Sequence, residues 1–175
     1  GRITPSVKQL LKDVEYPGMK IMEFAFYDRS GEKNPYLPYN FEKNCVAYWG
    51  THDNMPLQGW IDSLKQQDLE YVKEFVHSYS DNKEALHWDL IRTLLARPAE
   101  TTILQAQDLK ALGSWSWMNQ PNTVGKNWTW RIKKDALDAE NAAWVRKITE
   151  TYARLPQKKE ESDKDTADHD TDHDL

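Results

Sequence analysis

Asp53 and His52 are the two titratable side chains in the run VAYWGTHDN, residues 46–54, and they end a stretch that is otherwise largely apolar. Asp and Asn hydrogen-bond locally and favour turns, so THDN is explained in one way as a turn after a strand. The other explanation is that a rigid strand delivers a carboxylate and an imidazole to a pocket. An apolar run such as VAYWG suits a strand of a parallel sheet covered by helices. In such sheets ligands gather at the carboxyl ends of the strands.

Other chemistry is poorly supplied. A metal site built on His52 and Asp53 needs more ligands than the neighbouring sequence offers. His77 and His87 fall in helical patterns without ligand spacing and read as ordinary surface or core histidines. Cys45 is the only cysteine, which rules out an internal disulfide and a cysteine-based zinc site; its place before the apolar run suggests a buried thiol. The terminal DHDTDHDL reads as a solvated charge run. Glycine-rich phosphate loops and serine nucleophile motifs are missing.

The elements that must position these residues can be read from periodicity. ITPSVKQLLKDV opens with Thr4 as N-cap and Pro5 at the first helical position, and Val7, Leu10, Leu11 and Val14 follow on one face. Pro17-Gly18 ends that helix, and MKIMEFAF, 19–26, reads as a strand. The second strand is 45–50. Leu69, Val72, Val76 and Tyr79 form one helical stripe; Leu86, Leu90, Ile91, Leu94 and Leu95 form another, closed by Arg97-Pro98. TTILQAQ, 101–107, reads as a third strand. Residues 113–131 are irregular and hold four of the eight tryptophans, and a last helix runs from about Asp135 to Tyr152.

This order is helix, strand, strand, two helices, strand, helix, an α/β arrangement with a parallel sheet. Three strands do not close a barrel and leave bare edges. The chain also opens on a helix with no strand before it, so a part of a larger sheet is expected.

A length of 175 residues suits about one domain. The formal charge of −5 is concentrated at one end: Gln157 to Leu175 carries eight acids and three lysines, leaving the body neutral. No basic face points to nucleic acid, and no basic amphipathic or long apolar segment points to a membrane. The acidic tail is too polar to pack and is expected to be disordered. With no signal-peptide pattern, the default compartment is the cytoplasm.

GMKIMEFAF, NPYLPYN, GTHDN, ILQAQDLKALGS, MNQPNT and NWTWR occur in the order found in amylomaltases, and over residues 1–155 the chain resembles this family. These are the 4-α-glucanotransferases, or disproportionating enzymes, of glycoside hydrolase family 77. The resemblance implies the C-terminal part of a (β/α)₈ TIM barrel over 1–155, about three strands with surrounding helices, followed by the tail over 156–175. It implies α-1,4-glucans and maltooligosaccharides as substrates and no metal or organic cofactor. It also places the protein in the cytoplasm, or in a plastid if the parent is from a plant or alga.

Such enzymes cut an α-1,4-glucan and pass the piece to another sugar's 4-hydroxyl with retention. Retention needs a carboxylate nucleophile and a carboxyl that acts first as acid, then as base. The family's third carboxylate is the Asp of THDN, here Asp53, expected to hold sugar hydroxyls in the −1 subsite and stabilise the transition state. His52 is placed to hydrogen-bond the same sugar. Asn119 matches an Asn that faces the donor sugar, although the family's Arg two residues earlier is Trp117 here, and its Pro-Gly is Pro121-Asn122.

Gly1 matches the glycine of the family's AEDLG motif, so the acid/base Glu is expected three residues before Gly1, and the nucleophile further upstream. Glu23 and Asp28 match neither catalytic motif. On this reading the chain is inactive alone and needs the missing N-terminal part of the barrel as its partner.

Three features keep two explanations each. Phe26 stacks on a sugar ring or packs in the core. Trp115, Trp117, Trp128 and Trp130 are glucose platforms or a structural seam. Asp108 orients site residues or serves the dipole of a helix N-terminus. If the tryptophans are platforms, a non-catalytic glucan-binding module is the alternative to an enzyme fragment.

Overall fold

The computed structural model describes residues 3–27 and 31–156. Helix α1 spans Pro5–Asp13 with Thr4 as N-cap and Pro5 opening it, as the sequence predicts. Strand β1 covers Gly18–Ile21 and strand β2 Cys45–Tyr48. Helices α2 (Leu57–Ser63), α3 (Gln66–Phe75) and α4 (Lys83–Leu95) follow. Strand β3 covers Thr101–Ile103, helix α5 Ala106–Leu109 and helix α6 Ala139–Thr151. The three strands form one parallel sheet in the order β1-β2-β3. Met19 pairs with Val46, and Val46 with Thr101; Ile21 pairs with Tyr48, and Tyr48 with Ile103.

The parallel arrangement follows expectation, but the strands are shorter. The stretch expected as a strand over 19–26 turns into a 3-10 helix at Met22–Phe26, because the backbone leaves the ladder once Glu23 N–H bonds the Trp49 carbonyl. The run 101–107 likewise ends at Ile103, and α5 begins three residues later at Ala106. Helix α2 has no counterpart in the periodic reading; seven residues are too few to display a clear 3.6 period. Tyr79, expected on the stripe of α3, lies beyond that helix and is exposed. The tail and Asp28 fall outside the described residues.

Side chains alternate across a strand, so the register sorts the sheet into two faces. Cys45 and Ala47 point to the face covered by helices and are buried with Leu86, Leu90, Ile91 and Leu94 of α4. The other face carries Met19, Ile21, Val46, Tyr48 and Ile103, with Met19 and Ile103 exposed and Ile21 buried. The apolar face of α1 is uncovered as well: Val7, Leu10 and Val14 are all exposed. A groove of about 950 Å³ runs between α1, β1 and the 31–45 segment, and neither His52, Asp53 nor Asn119 lines it.

Two devices fix the outer elements. Asn82 caps α4, its Oδ1 accepting the Glu84 N–H at 2.9 Å. Because α4 supplies much of the core, Asn82→Ala is expected to cost about 0.5–2 kcal/mol of stability, read by thermal or denaturant unfolding. Past the end of α6, Arg154 reaches back to the Leu95 carbonyl (2.9 Å), the Ala99 carbonyl (2.7 Å) and Thr102 Oγ1 (2.7 Å). That tie fastens the last helix to the start of β3.

Candidate active site

Asp53 lies just past the carboxyl end of β2, where the sequence places it. Trp49 and Gly50 leave the sheet, and residues 51–54 turn on themselves. Asn54 Oδ1 accepts both the Thr51 N–H (2.9 Å) and the Thr51 hydroxyl (3.0 Å), while the Asn54 N–H returns to the Thr51 carbonyl (3.0 Å). This tightness explains Gly50. A Cβ there would sit 2.7 Å from the Asn54 Cβ.

The turn's internal bonds use Thr51 and Asn54, which leaves His52 and Asp53 half-exposed side by side, with His52 Nε2 3.3 Å from Asp53 Oδ1. Asn119 reaches them from the irregular 113–131 segment. Its main-chain N–H donates to the His52 carbonyl at 3.1 Å, and its Nδ2 donates to Asp53 Oδ1 at 2.6 Å. Asn122, at the position where the resemblance implies glycine, has φ +61°, and Asn is among the non-glycine residues that best tolerate that region.

Trp128 completes the group. Its main-chain N–H donates to the Met118 carbonyl at 2.6 Å, and its ring lies 4.9 Å from the His52 ring. It is 51% exposed and holds φ +64°, a strained conformation for a bulky residue. An exposed indole beside a carboxylate and an imidazole is suited to a flat, hydroxyl-bearing ligand: ring face against ring, hydroxyls to Asp53 and His52. Of the other three tryptophans, Trp115 is exposed at 71%, while Trp117 and Trp130 are half-buried.

Phe26 does not join the site. It is 8% exposed, with Trp60 at 5.5 Å, Phe75 at 5.3 Å and Trp49 at 6.1 Å between ring centroids. Because β1 gives way to the 3-10 turn, the ring swings under the helices, and core packing is the role this structure gives it.

Behind the turn sit two buried carboxyls. Glu23 accepts the Tyr27 hydroxyl, and burial holds its carboxyl above the usual range, partly offset by the Tyr27 and Asn54 side chains. Among the described residues its Oε2 nevertheless has no partner in hydrogen-bond geometry. Asp108, 1% exposed, accepts the Leu57 N–H at 2.8 Å, and burial pushes its pKa up to about 7. Beside it, His87 is fully buried with Nε2 2.8 Å from the Asp108 carbonyl, and burial lowers its pKa to about 4. A neutral imidazole there donates from Nε2, which fixes the tautomer.

The two shifts act on stability with opposite sign. Asp108, raised from 3.8 to about 7, favours the folded state fully below its unfolded pKa, and that gain is lost as pH rises through 7. His87, lowered from 6.5 to about 4, favours the folded state above 6.5, and that gain is lost as pH falls through 4. Between about 4 and 6.5 the slopes oppose each other. Asp108→Asn is therefore expected to unmask the histidine: the melting temperature should fall on acidification from pH 6.5 to 4 more steeply than in the wild type, as thermal melts across that range would show.

A family model described as 4-alpha-glucanotransferase matches residues 1–138. The chain is 38% identical over 159 residues to a 4-alpha-glucanotransferase of Clostridium butyricum, covering 88% of this chain and 31% of that protein. It is 42% identical to the chloroplastic/amyloplastic 4-alpha-glucanotransferase of Solanum tuberosum, covering 89% of this chain and 27% of that one. Among solved structures, the amylomaltase from Streptococcus agalactiae in complex with acarbose superposes with a TM-score of 0.80 at 38% identity, covering 88% of this chain and 30% of that one. The chain thus spans about three tenths of the length of these relatives.

Proposed function

This chain belongs to the 4-alpha-glucanotransferase family, and on that premise we propose that it supplies one carboxylate, Asp53, to a retaining transfer of α-1,4-glucan segments. The observation that carries this reading is the convergence of His52, Asn119 and Trp128 on Asp53 at the carboxyl end of a parallel strand. Asp53 binds hydroxyls of the sugar at the cleavage point and stabilises its oxocarbenium-like transition state, and its charge favours the protonated form of a neighbouring acid. His52 hydrogen-bonds the same sugar, and Asn119 holds the Asp53 carboxylate in place. Trp128 stacks on an adjoining glucose unit.

The nucleophile and the acid/base lie in a preceding segment, as the motif order implies, and the chain alone does not turn over glucans. Three observations among the described residues support a part of a barrel: a parallel sheet whose outer strands β1 and β3 have no further strand beside them, a second sheet face carrying exposed Met19 and Ile103, and exposed Val7, Leu10 and Val14 on α1. The non-catalytic binding module is the weaker reading, because exposed apolar side chains on one sheet face and along α1 mark surfaces that a further segment covers.

The test is disproportionation of maltotriose. An enzyme in which residues 1–155 follow the preceding segment should release glucose and longer maltooligosaccharides without added metal, while the present chain alone should not. Untouched maltotriose in the complete enzyme overturns the reading. In the complete enzyme, Trp128→Ala should raise KM for maltotriose several-fold, on the order of the 1 kcal/mol of one ring contact, with kcat much less affected; an unchanged KM removes Trp128 from the sugar site.

A further inference from the structure

The loop that carries His52 and Asp53 is held at both ends by one short element across the sheet. At its start, Gln105 Nε2 donates to the Gly50 carbonyl at 2.7 Å; at its end, Asp108 Oδ1 accepts the Leu57 N–H, the first of α2, at 2.8 Å. Gln105 and Asp108 belong to the β3–α5 turn, as N-cap and third residue of α5. Between them, Gln107 is buried and donates from Nε2 to the Ser116 carbonyl at 3.3 Å, and its main-chain carbonyl accepts the Leu112 N–H at 2.9 Å. The same turn therefore grips the segment that leads to Asn119. Gly59 of α2 lies against this segment so closely that a Cβ would stand 2.6 Å from the Ser114 nitrogen.

We infer that Gln105 and Asp108 are positioning residues that fix the His52–Asp53 loop against the Asn119 segment, so that the site keeps its geometry before substrate arrives. The inference rests on the proposed role of Asp53. Neither side chain touches the site itself. Both act on main-chain groups that flank it, and a main-chain shift at Gly50 or Leu57 moves the Asp53 carboxylate with it. Preorganised geometry of this kind matters to rate far more than to ground-state binding, since misplacement of about 1 Å costs up to a hundredfold.

The variants Gln105→Met, Asp108→Ala and Asp108→Asn, made in the complete enzyme, decide it by maltotriose kinetics and thermal melts. Met keeps the volume of Gln but cannot donate; Asn keeps an acceptor for Leu57. Gln105→Met and Asp108→Ala are expected to lower kcat about ten- to a hundredfold with KM nearly unchanged, and Asp108→Asn to restore most of the rate. Adding Gln105→Met to an Asp53→Asn enzyme should produce little further loss, because the group it positions is already gone. Normal kcat in Gln105→Met, or a full additional loss in the Asp53→Asn background, overturns the inference. If Asp108→Ala does not fold, the Gln105 series still gives the answer. A normal rate in Asp53→Asn alone would instead remove the role of Asp53 on which the inference stands.

Discussion

Asp53→Asn in the complete enzyme is expected to lower the transfer rate on maltotriose by about a hundredfold or more, the scale for one preorganised electrostatic group. The substitution is nearly isosteric. An amide oxygen still accepts the Asn119 Nδ2 hydrogen bond, and an amide still bonds sugar hydroxyls, so fold and ground-state binding should survive. What disappears is the negative charge opposite a developing oxocarbenium ion. Because Asp53 is half-exposed and its turn is held by Thr51 and Asn54, little stability is at stake. A simple turn role predicts the reverse, a small stability loss and a nearly normal rate. Near-wild-type turnover by a well-folded Asp53→Asn enzyme would sink the catalytic assignment.

Phe26→Ala should act on stability instead. A ring this buried, among Trp49, Trp60 and Phe75, leaves a large cavity when truncated, and the expected loss is about 3–5 kcal/mol. The spread of that range reflects how far neighbouring rings can collapse into the gap. Denaturant unfolding measures it directly. If Phe26 instead served only as a sugar platform, unfolding would hardly change and KM for maltotriose would rise. An unchanged midpoint with a raised KM returns Phe26 to the site.

The contrast between these residues shows what the sequence makes legible. Asp53 could be placed because an apolar run ending in THDN sets a carboxylate at the carboxyl end of a strand, and the resemblance to amylomaltases favours that reading over a plain turn. Phe26 could not, because MEFAF looks like a continuation of its strand, and only the bond from Glu23 N–H to the Trp49 carbonyl marks the switch to a 3-10 turn. Apolar alternation says that a side chain is covered; it does not say by what. Trp128 was one of four candidate platforms with nothing local to separate it from the other three. Its place beside His52 depends on the Met118 carbonyl, ten residues earlier in the chain.

Gln105 carries a fainter signal. Tyr48 and Ile103 are partners in the sheet, and Gly50 and Gln105 each follow by two residues. Once β2 and β3 are known to be parallel neighbours in that register, the meeting of Gln105 with the Gly50 carbonyl follows. Register, however, is a three-dimensional fact, and three-residue strands such as β3 specify it weakly from sequence. Asp108 was legible as an acid near a helix start, but the helix whose N-terminus it serves is α2, more than fifty residues away in the chain.

The buried pair beneath the loop makes folding an internal proton transfer. At about pH 5 the unfolded chain carries a protonated His87 and an ionised Asp108; the folded chain carries a neutral imidazole and a neutral carboxyl. One proton has moved from ring to acid, and for this pair the solvent gives and receives none. Two charges that would be costly to bury annihilate each other as the core closes. The heat of unfolding at that pH should therefore carry no buffer-ionisation contribution from these two groups, whether it is recorded in acetate or in a buffer with a large protonation enthalpy.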